Sequence, residues 1–167
     1  MSQLKVNSIV PAGGLPSGSN GGIIQCIQAV KTDEATLQTT TFTDITGLSA
    51  TITPSSSSNK ILCDFKIYLS HVAGLSAAKV NLVRGSTNIA QPFGSSTHTA
   101  SMFHWSNATS MWPVGMNFLD SPATTSATTY KIQVCGDTSD SVIAINRYVS
   151  SSSYLSISTL TLYEVSV

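Results

Sequence analysis

The chain has 167 residues, enough for one domain with a substantial core, and its charged residues make up 10% of the sequence and cancel to a formal net charge of zero. Such a chain has no long-range field to draw it to nucleic-acid phosphates or an anionic membrane, so neither partner is expected. Ser and Thr supply more than a quarter of the residues while strong helix formers are scarce, which argues against a helical fold and suits short strands joined by many turns.

The opening residues, Met1 to Pro11, mix Leu4, Val6, Ile9 and Val10 with polar Gln3, Lys5, Asn7 and Ser8, so no apolar run resembles a signal peptide or a membrane span. Synthesis in the cytoplasm without export is the expectation. A strand-like piece, Leu4 to Val10, runs into Pro11-Ala12-Gly13-Gly14-Leu15-Pro16 and on to Gly21-Gly22. That density of Pro and Gly forms neither helix nor central strand, so residues 1–22 read as an arm held by a partner surface and residues 23–167 as the domain.

From Ile23 onward strands recur every ten to fifteen residues or so. Ile24, Cys26, Gln28 and Val30 share one face; Ile61, Cys63, Phe65, Ile67 and Leu69 share another against Lys60, Asp64, Lys66 and Tyr68, the alternation of a half-buried strand. Further strands are expected at Phe42 to Thr53, Lys79 to Arg84, His98 to Trp105, Met111 to Leu119, Thr128 to Cys135, Val142 to Asn146 and Leu155 to Val167. Turn signals separate them: Pro54 to Asn59, Gly85-Ser86, Pro92 to Ser95, Asp120-Ser121-Pro122, Gly136-Asp137-Thr138 and Ser150 to Ser153. The fold class predicted is all-β, an antiparallel β-sandwich of jelly-roll type with an extended N-terminal arm; an up-and-down barrel is the alternative. Leu160 and Leu162 on one face of the last strand, with Tyr163 and Val165 on the other, suit a central strand or one buried between subunits.

The raw material for catalysis is thin. His98 and His104 fall in one predicted strand, six residues and about 20 Å apart, too far to share a metal within one chain. The serines lie in turns, with no Gly-x-Ser-x-Gly elbow, and Asp64, Asp120, Asp137 and Asp140 show no informative spacing. Cys26, Cys63 and Cys135 sit in apolar stretches and read as buried free thiols, not metal ligands. Asn107-Ala108-Thr109 matches the glycosylation pattern, which carries little weight without a signal peptide. No catalytic residue, cofactor or metal is expected, and the protein is read as a binding or structural module. Large side chains concentrate in Met102, Phe103, His104, Trp105, Met111, Trp112, Met116 and Phe118, expected mostly in the core or at a subunit interface. Trp105, Trp112 and Tyr154 are the candidate partner-contacting aromatics.

Leu4-Lys5-Val6-Asn7-Ser8-Ile9-Val10-Pro11, then Gly21-Gly22-Ile23-Ile24-Gln25, resembles the start of virion structural and tail-fibre-like proteins of marine bacteriophages, notably those of cyanobacteria. Phe42 to Leu48, Ile52 to Leu62, Asn81 to Thr87 and Leu160 to Val165 fit the same group, so the resemblance spans nearly the whole chain. It implies a component of the virion exterior: a homotrimer of β-sandwich knobs anchored to other virion proteins through Leu4, Val6, Ile9, Val10 and Pro11. Such a module acts either as a short fibre touching host polysaccharide or protein, or as a decoration clamping capsid subunits. A stand-alone carbohydrate-binding module is the competing reading.

Overall fold

The computed structural model describes residues 22–72, 76–92, 100–106, 110–148 and 151–167. Leu4, Val6, Ile9, Val10, Pro11, His98 and the Asn107-Ala108-Thr109 site lie outside the described residues. The strands are β1 Ile23–Lys31, β2 Ala35–Gln38, β3 Thr43–Ile52, β4 Lys60–Val72, β5 Ser76–Arg84, β6 Thr87–Ile89 and β7 Met102–Ser106, then β8 Trp112–Asp120, β9 Thr128–Gly136, β10 Val142–Ile145, β11 Arg147–Tyr148, β12 Ser151–Leu155 and β13 Ser158–Val165. Among the described residues there is no helix.

Two sheets face each other. In the first, β13 and β10 lie end to end along one side of β4 while β8 lies along the other, and β1 and β2 border β13 and β10. Its width is therefore β1, β13, β4, β8. In the second, β9 lies between β3 and β5, and β7 and β6 share the far side of β5. The eight long strands β1, β3, β4, β5, β7, β8, β9 and β13 pair first with last (β1 with β13), second with seventh (β3 with β9), third with sixth (β4 with β8) and fourth with fifth (β5 with β7), all antiparallel. That nested pairing is what a long antiparallel ribbon gives when it is rolled up on itself, and it defines the jelly roll. The barrel alternative is excluded, because an up-and-down barrel pairs each strand with the next.

The core fills the space between the sheets. Cys63, Phe65, Ile67 and Leu69 of β4 and Leu160 and Leu162 of β13 point inward from the first sheet and are buried. Val80 and Leu82 of β5, with Tyr130, Ile132 and Val134 of β9, meet them from the second. In β3, Ile45 and Leu48 are three residues apart yet both buried, because the β3–β9 register shifts between Asp44 and Ser49, where Gly47 adopts φ +90°. A positive φ is costly for any residue with a Cβ, so glycine at this bulge lets both side chains reach the core. Pro113 sits in β8, an edge strand, where a missing donor is tolerated.

Several expectations need correction. Cys26 is exposed, while Cys63 and Cys135 are buried free thiols as expected. The face of β1 carrying Ile24, Cys26, Gln28 and Val30 looks outward, and Ile27 and Ala29 pack on the core instead. The stretch Leu155 to Val167 is not one strand: Ser151–Leu155 pairs with β11, and the long strand starts afresh at Ser158. The serine run expected as a turn therefore contributes a strand. β2 and β6 are short strands that the sequence pattern did not separate.

Candidate functional site

Along β4 the molecule has two ends, set by Lys60 and Val72. The chain enters at the Lys60 end, where Ile23 lies opposite Val165 and Val165 opposite Lys60. Ser166 fastens the entry point, its N–H donating to the Gly22 carbonyl at 3.0 Å. A buried carboxylate organises the serine-rich loop beside it: Glu164 accepts from the Ser55 N–H at 2.6 Å, the Ser55 hydroxyl at 2.8 Å and Asn59 Nδ2 at 2.7 Å. Burial alone would push the Glu164 pKa up, but these donors outweigh it and hold the carboxyl below its ordinary value. On the other side of β4, with Ile61 between the two carboxylates, Asp120 accepts from Arg84 Nη1 at 2.9 and 2.7 Å and from the Tyr130 hydroxyl at 2.7 Å. Burial first, and this carboxylate second, push the Tyr130 phenol well up, and burial does the same to the neighbouring Cys63 thiol. Neither group is a nucleophile or an acid near neutral pH.

The Val72 end is held differently. Asn146 is fully buried at φ +60°, an angle that Asn tolerates better than most residues. Its Nδ2 donates to the carbonyls of Lys31 at 2.8 Å and Asp33 at 3.0 Å, and its Oδ1 accepts from the Ser158 hydroxyl. Its backbone N–H donates to the Tyr68 carbonyl and its own carbonyl accepts from the Ser156 N–H, both at 3.0 Å. One residue, through side chain and backbone together, thus ties the β1–β2 junction, β4 and the β12–β13 junction, and projects the β11–β12 hairpin. Its charges are matched locally, since Arg147 lies 3.8 Å from Glu34 and donates to the Thr36 hydroxyl at 3.1 Å.

On that hairpin Tyr148 and Tyr154 meet edge to face, with ring centroids 6.0 Å apart. With Ser110 and Met111 they line an open depression of about 540 Å³. Met111 is drawn in by the Ser156 hydroxyl, 3.6 Å from its sulfur. Trp112 follows directly in sequence, and it is 57% exposed, as Tyr154 is at 65%, Leu155 at 62% and Ile157 at 54%. Trp112 has the inward parity of β8, opposite Leu69, but it begins the strand and stays open to solvent. Of the large side chains expected in the core, Met102, Met116 and Phe118 do pack against it. Trp105 and His104 lie in β7 opposite Ala77 and Ala78, and their side chains are outside the described set. Trp112 and Tyr154, named from sequence, therefore share one end. Tyr148 and Asn146 were missed; the only signal for Tyr148 was that two tyrosines flank the serine run.

Among the described residues this end presents exposed apolar and aromatic side chains, the kind of surface that makes apolar contacts and stacks on rings. Among the described residues no three His, Cys, Asp or Glu side chains gather in a way that would hold a metal ion. Asp137 sits 3.4 Å from Lys79, an ion pair, and Asp140 is an exposed turn residue. His71 is buried in β4, and burial holds its pKa below the ordinary histidine value.

Strand order and side-chain direction define the chain as a jelly-roll β-sandwich with an exposed aromatic end. Solved structures similar to it include one titled for the Gx strain of infectious bursal disease virus, with 17% identity, a TM-score of 0.39, and coverage of 93% of this chain and 42% of that one. A second, the VP2 subviral particle of the same virus, shows 15% identity, a TM-score of 0.35, and coverage of 95% and 42%. The chain thus spans less than half the length of these solved chains. No protein-family model and no curated protein sequence matches it.

Proposed function

We propose that this chain is a structural component of a virion exterior, a homotrimeric knob anchored by its N-terminal arm and presenting the Trp112, Tyr148 and Tyr154 end to a host surface. The observation that carries this reading is polarity. The arm leaves beside Lys60, while Trp112 pairs with Leu69 at the other end of the same strand, nine residues or about 30 Å away. An anchor and a contact surface at opposite poles can act at the same time, which a receptor-contacting module requires. The jelly roll itself hosts many functions and supports the reading only as a compatible scaffold. The bacteriophage resemblance of the sequence supplies the virion context and the anchoring role of Leu4, Val6, Ile9, Val10 and Pro11. The exposed rings favour host-surface polysaccharide as the ligand, because planar aromatic faces stack on the apolar faces of sugars.

The test is solution mass by light scattering, followed by binding of the same sample to host cells and to phage capsids that lack it. A trimer that binds host cells through the aromatic end supports the receptor-contacting form. A trimer that coats capsids and ignores cells marks a decoration protein. A monomer that binds polysaccharide without any particle supports the stand-alone carbohydrate-binding module, the reading the exposed Trp112 and Tyr154 also suit.

A further inference from the structure

The outer face of the first sheet carries an apolar row that no part of the described chain covers. Cys26 lies opposite Tyr163, Tyr163 opposite Leu62, and Leu62 opposite Leu119, so these side chains form one line across all four strands. Leu119 is 53% exposed, Cys26 is exposed, and Leu62 and Tyr163 are partly so. Exposed Ile24 and half-buried Val165 thicken the line on its arm side. A row of this kind on a neutral protein marks a contact surface.

The charges beside the row select its occupant. Lys60 stands two residues before Leu62 on β4 and Asp64 two residues after, all three on the outward face. Asp64 is exposed and in no ion pair among the described residues. Among the described residues Lys60 Nζ donates to the Ser121 hydroxyl, at 2.7 Å. The charges nearest the apolar line are thus opposite in sign on its two sides, and Lys66, exposed on the same face, lies two residues beyond Asp64.

We propose that this face docks against the same face of a second copy about a two-fold axis running along the row. That operation lays the row on itself, Cys26 facing Cys26 and Leu119 facing Leu119, and brings each Lys60 over the Asp64 of the other copy. Isologous contacts have this reciprocity, and two sheets packed face to face keep their strands nearly aligned. An axis along the strands would instead set Lys60 on Lys60 and Asp64 on Asp64. With the axis on the Leu62 row, residues 60 to 64 of β4 overlap their counterparts, about 13 Å along the strands by about 20 Å across, roughly 260 Å² per copy or about 500 Å² in all, the size of a weak, reversible contact. The contact is independent of the virion reading: it joins two trimers into a hexamer, or two monomers into a dimer.

Cys26 supplies the probe, because Cys63 and Cys135 are buried and the chain has three cysteines. A short bismaleimide added to the full-length protein is expected to give a cross-linked pair through Cys26, and Cys26→Ser to give none. Asp64→Lys and Lys60→Asp each put like charges together and should reduce the yield roughly tenfold or more. Mixing these two variants restores both pairs and should recover the cross-link between unlike chains, as should the double exchange in one chain. Folding of each variant is checked by its melting curve, and Leu119→Lys, which puts a charge on the row itself, should likewise lower the cross-link yield. No cross-link in the wild type overturns the contact, whether the arm or another protein covers the row. A cross-link that survives both single variants, or that mixing does not restore, overturns the two-fold geometry.

Discussion

At the end where the arm leaves, buried carboxylates fasten the loops: Glu164 gathers Ser55 and Asn59, and Asp120 gathers Arg84 and Tyr130. At the aromatic end a neutral amide, Asn146, does the equivalent work for the hairpin carrying Tyr148 and Tyr154. The contrast shows how one sandwich supports two kinds of surface. A carboxylate cluster fixes a polar base, whereas an uncharged hub holds a hairpin out with its apolar side chains exposed. Cutting each fastening separately tests that division.

The largest effect belongs to the core shared by both ends: Phe65→Ala should cost about 3 to 5 kcal/mol in urea unfolding, and a near-neutral result would break the register of β4. Asp120→Ala strips the partner from Arg84 and the acceptor from Tyr130, and about 3 to 4 kcal/mol is expected from an equilibrium denaturation curve. Asn146→Ala loses three side-chain hydrogen bonds and forces alanine to a positive φ, for about 3 kcal/mol. Asn146→Gly should recover the strain part alone. Hydrogen exchange distinguishes the two fastenings: Asn146→Ala should deprotect residues 147–157 selectively, and Asp120→Ala should not.

Acid should weaken the ends in sequence. Burial holds the folded His71 pKa below its ordinary 6.5, so its contribution is complete above that pH and is lost as pH falls through the folded value. Glu164 is held below its ordinary 4.5, so its contribution is complete above pH 4.5 and lost on further acidification. Melting temperatures from pH 8 to pH 3 should therefore fall in two stages, with His71→Gln removing the upper stage and Glu164→Gln reducing the lower, to which Asp44 and Asp33, held down chiefly by hydrogen bonds from Lys131 and Lys31, also contribute. Glu164→Gln should itself cost about 1 to 2 kcal/mol at neutral pH. The smallest change in stability, within about 0.5 kcal/mol, is expected for Tyr154→Ala, because its ring is largely in solvent.

The strand grammar was legible because β4 alternates without interruption from Ile61 to Leu69, and once one face is buried the register follows. In β1 both faces carry apolar residues, Ile24, Cys26 and Val30 against Ile27 and Ala29, so parity alone did not say which side was the core. Trp112 shows the complementary failure: its parity is inward, but a residue that starts an edge strand has little to bury it, and position along the sheet is not written in a local pattern. Glu164 and the role of Asn146 could not be found at all, since the donors to Glu164 and the two carbonyls that Asn146 Nδ2 bonds lie more than a hundred residues away in sequence. The serines of Ser151–Leu155 favour turns by propensity, and pairing with β11 overrides that preference. The row of Cys26, Tyr163, Leu62 and Leu119 likewise appears only when three separate registers are aligned.

The most direct test of the central claim compares two variants side by side, the chain without residues 1–22 and the Trp112→Ala, Tyr154→Ala double variant, each assayed for attachment to phage particles lacking the protein and for binding to host cells. The account predicts that the deletion loses particle attachment and keeps cell binding, while the double variant does the reverse. Loss of both activities in both variants, or no loss in either, would contradict a module whose anchor and contact surface occupy opposite ends.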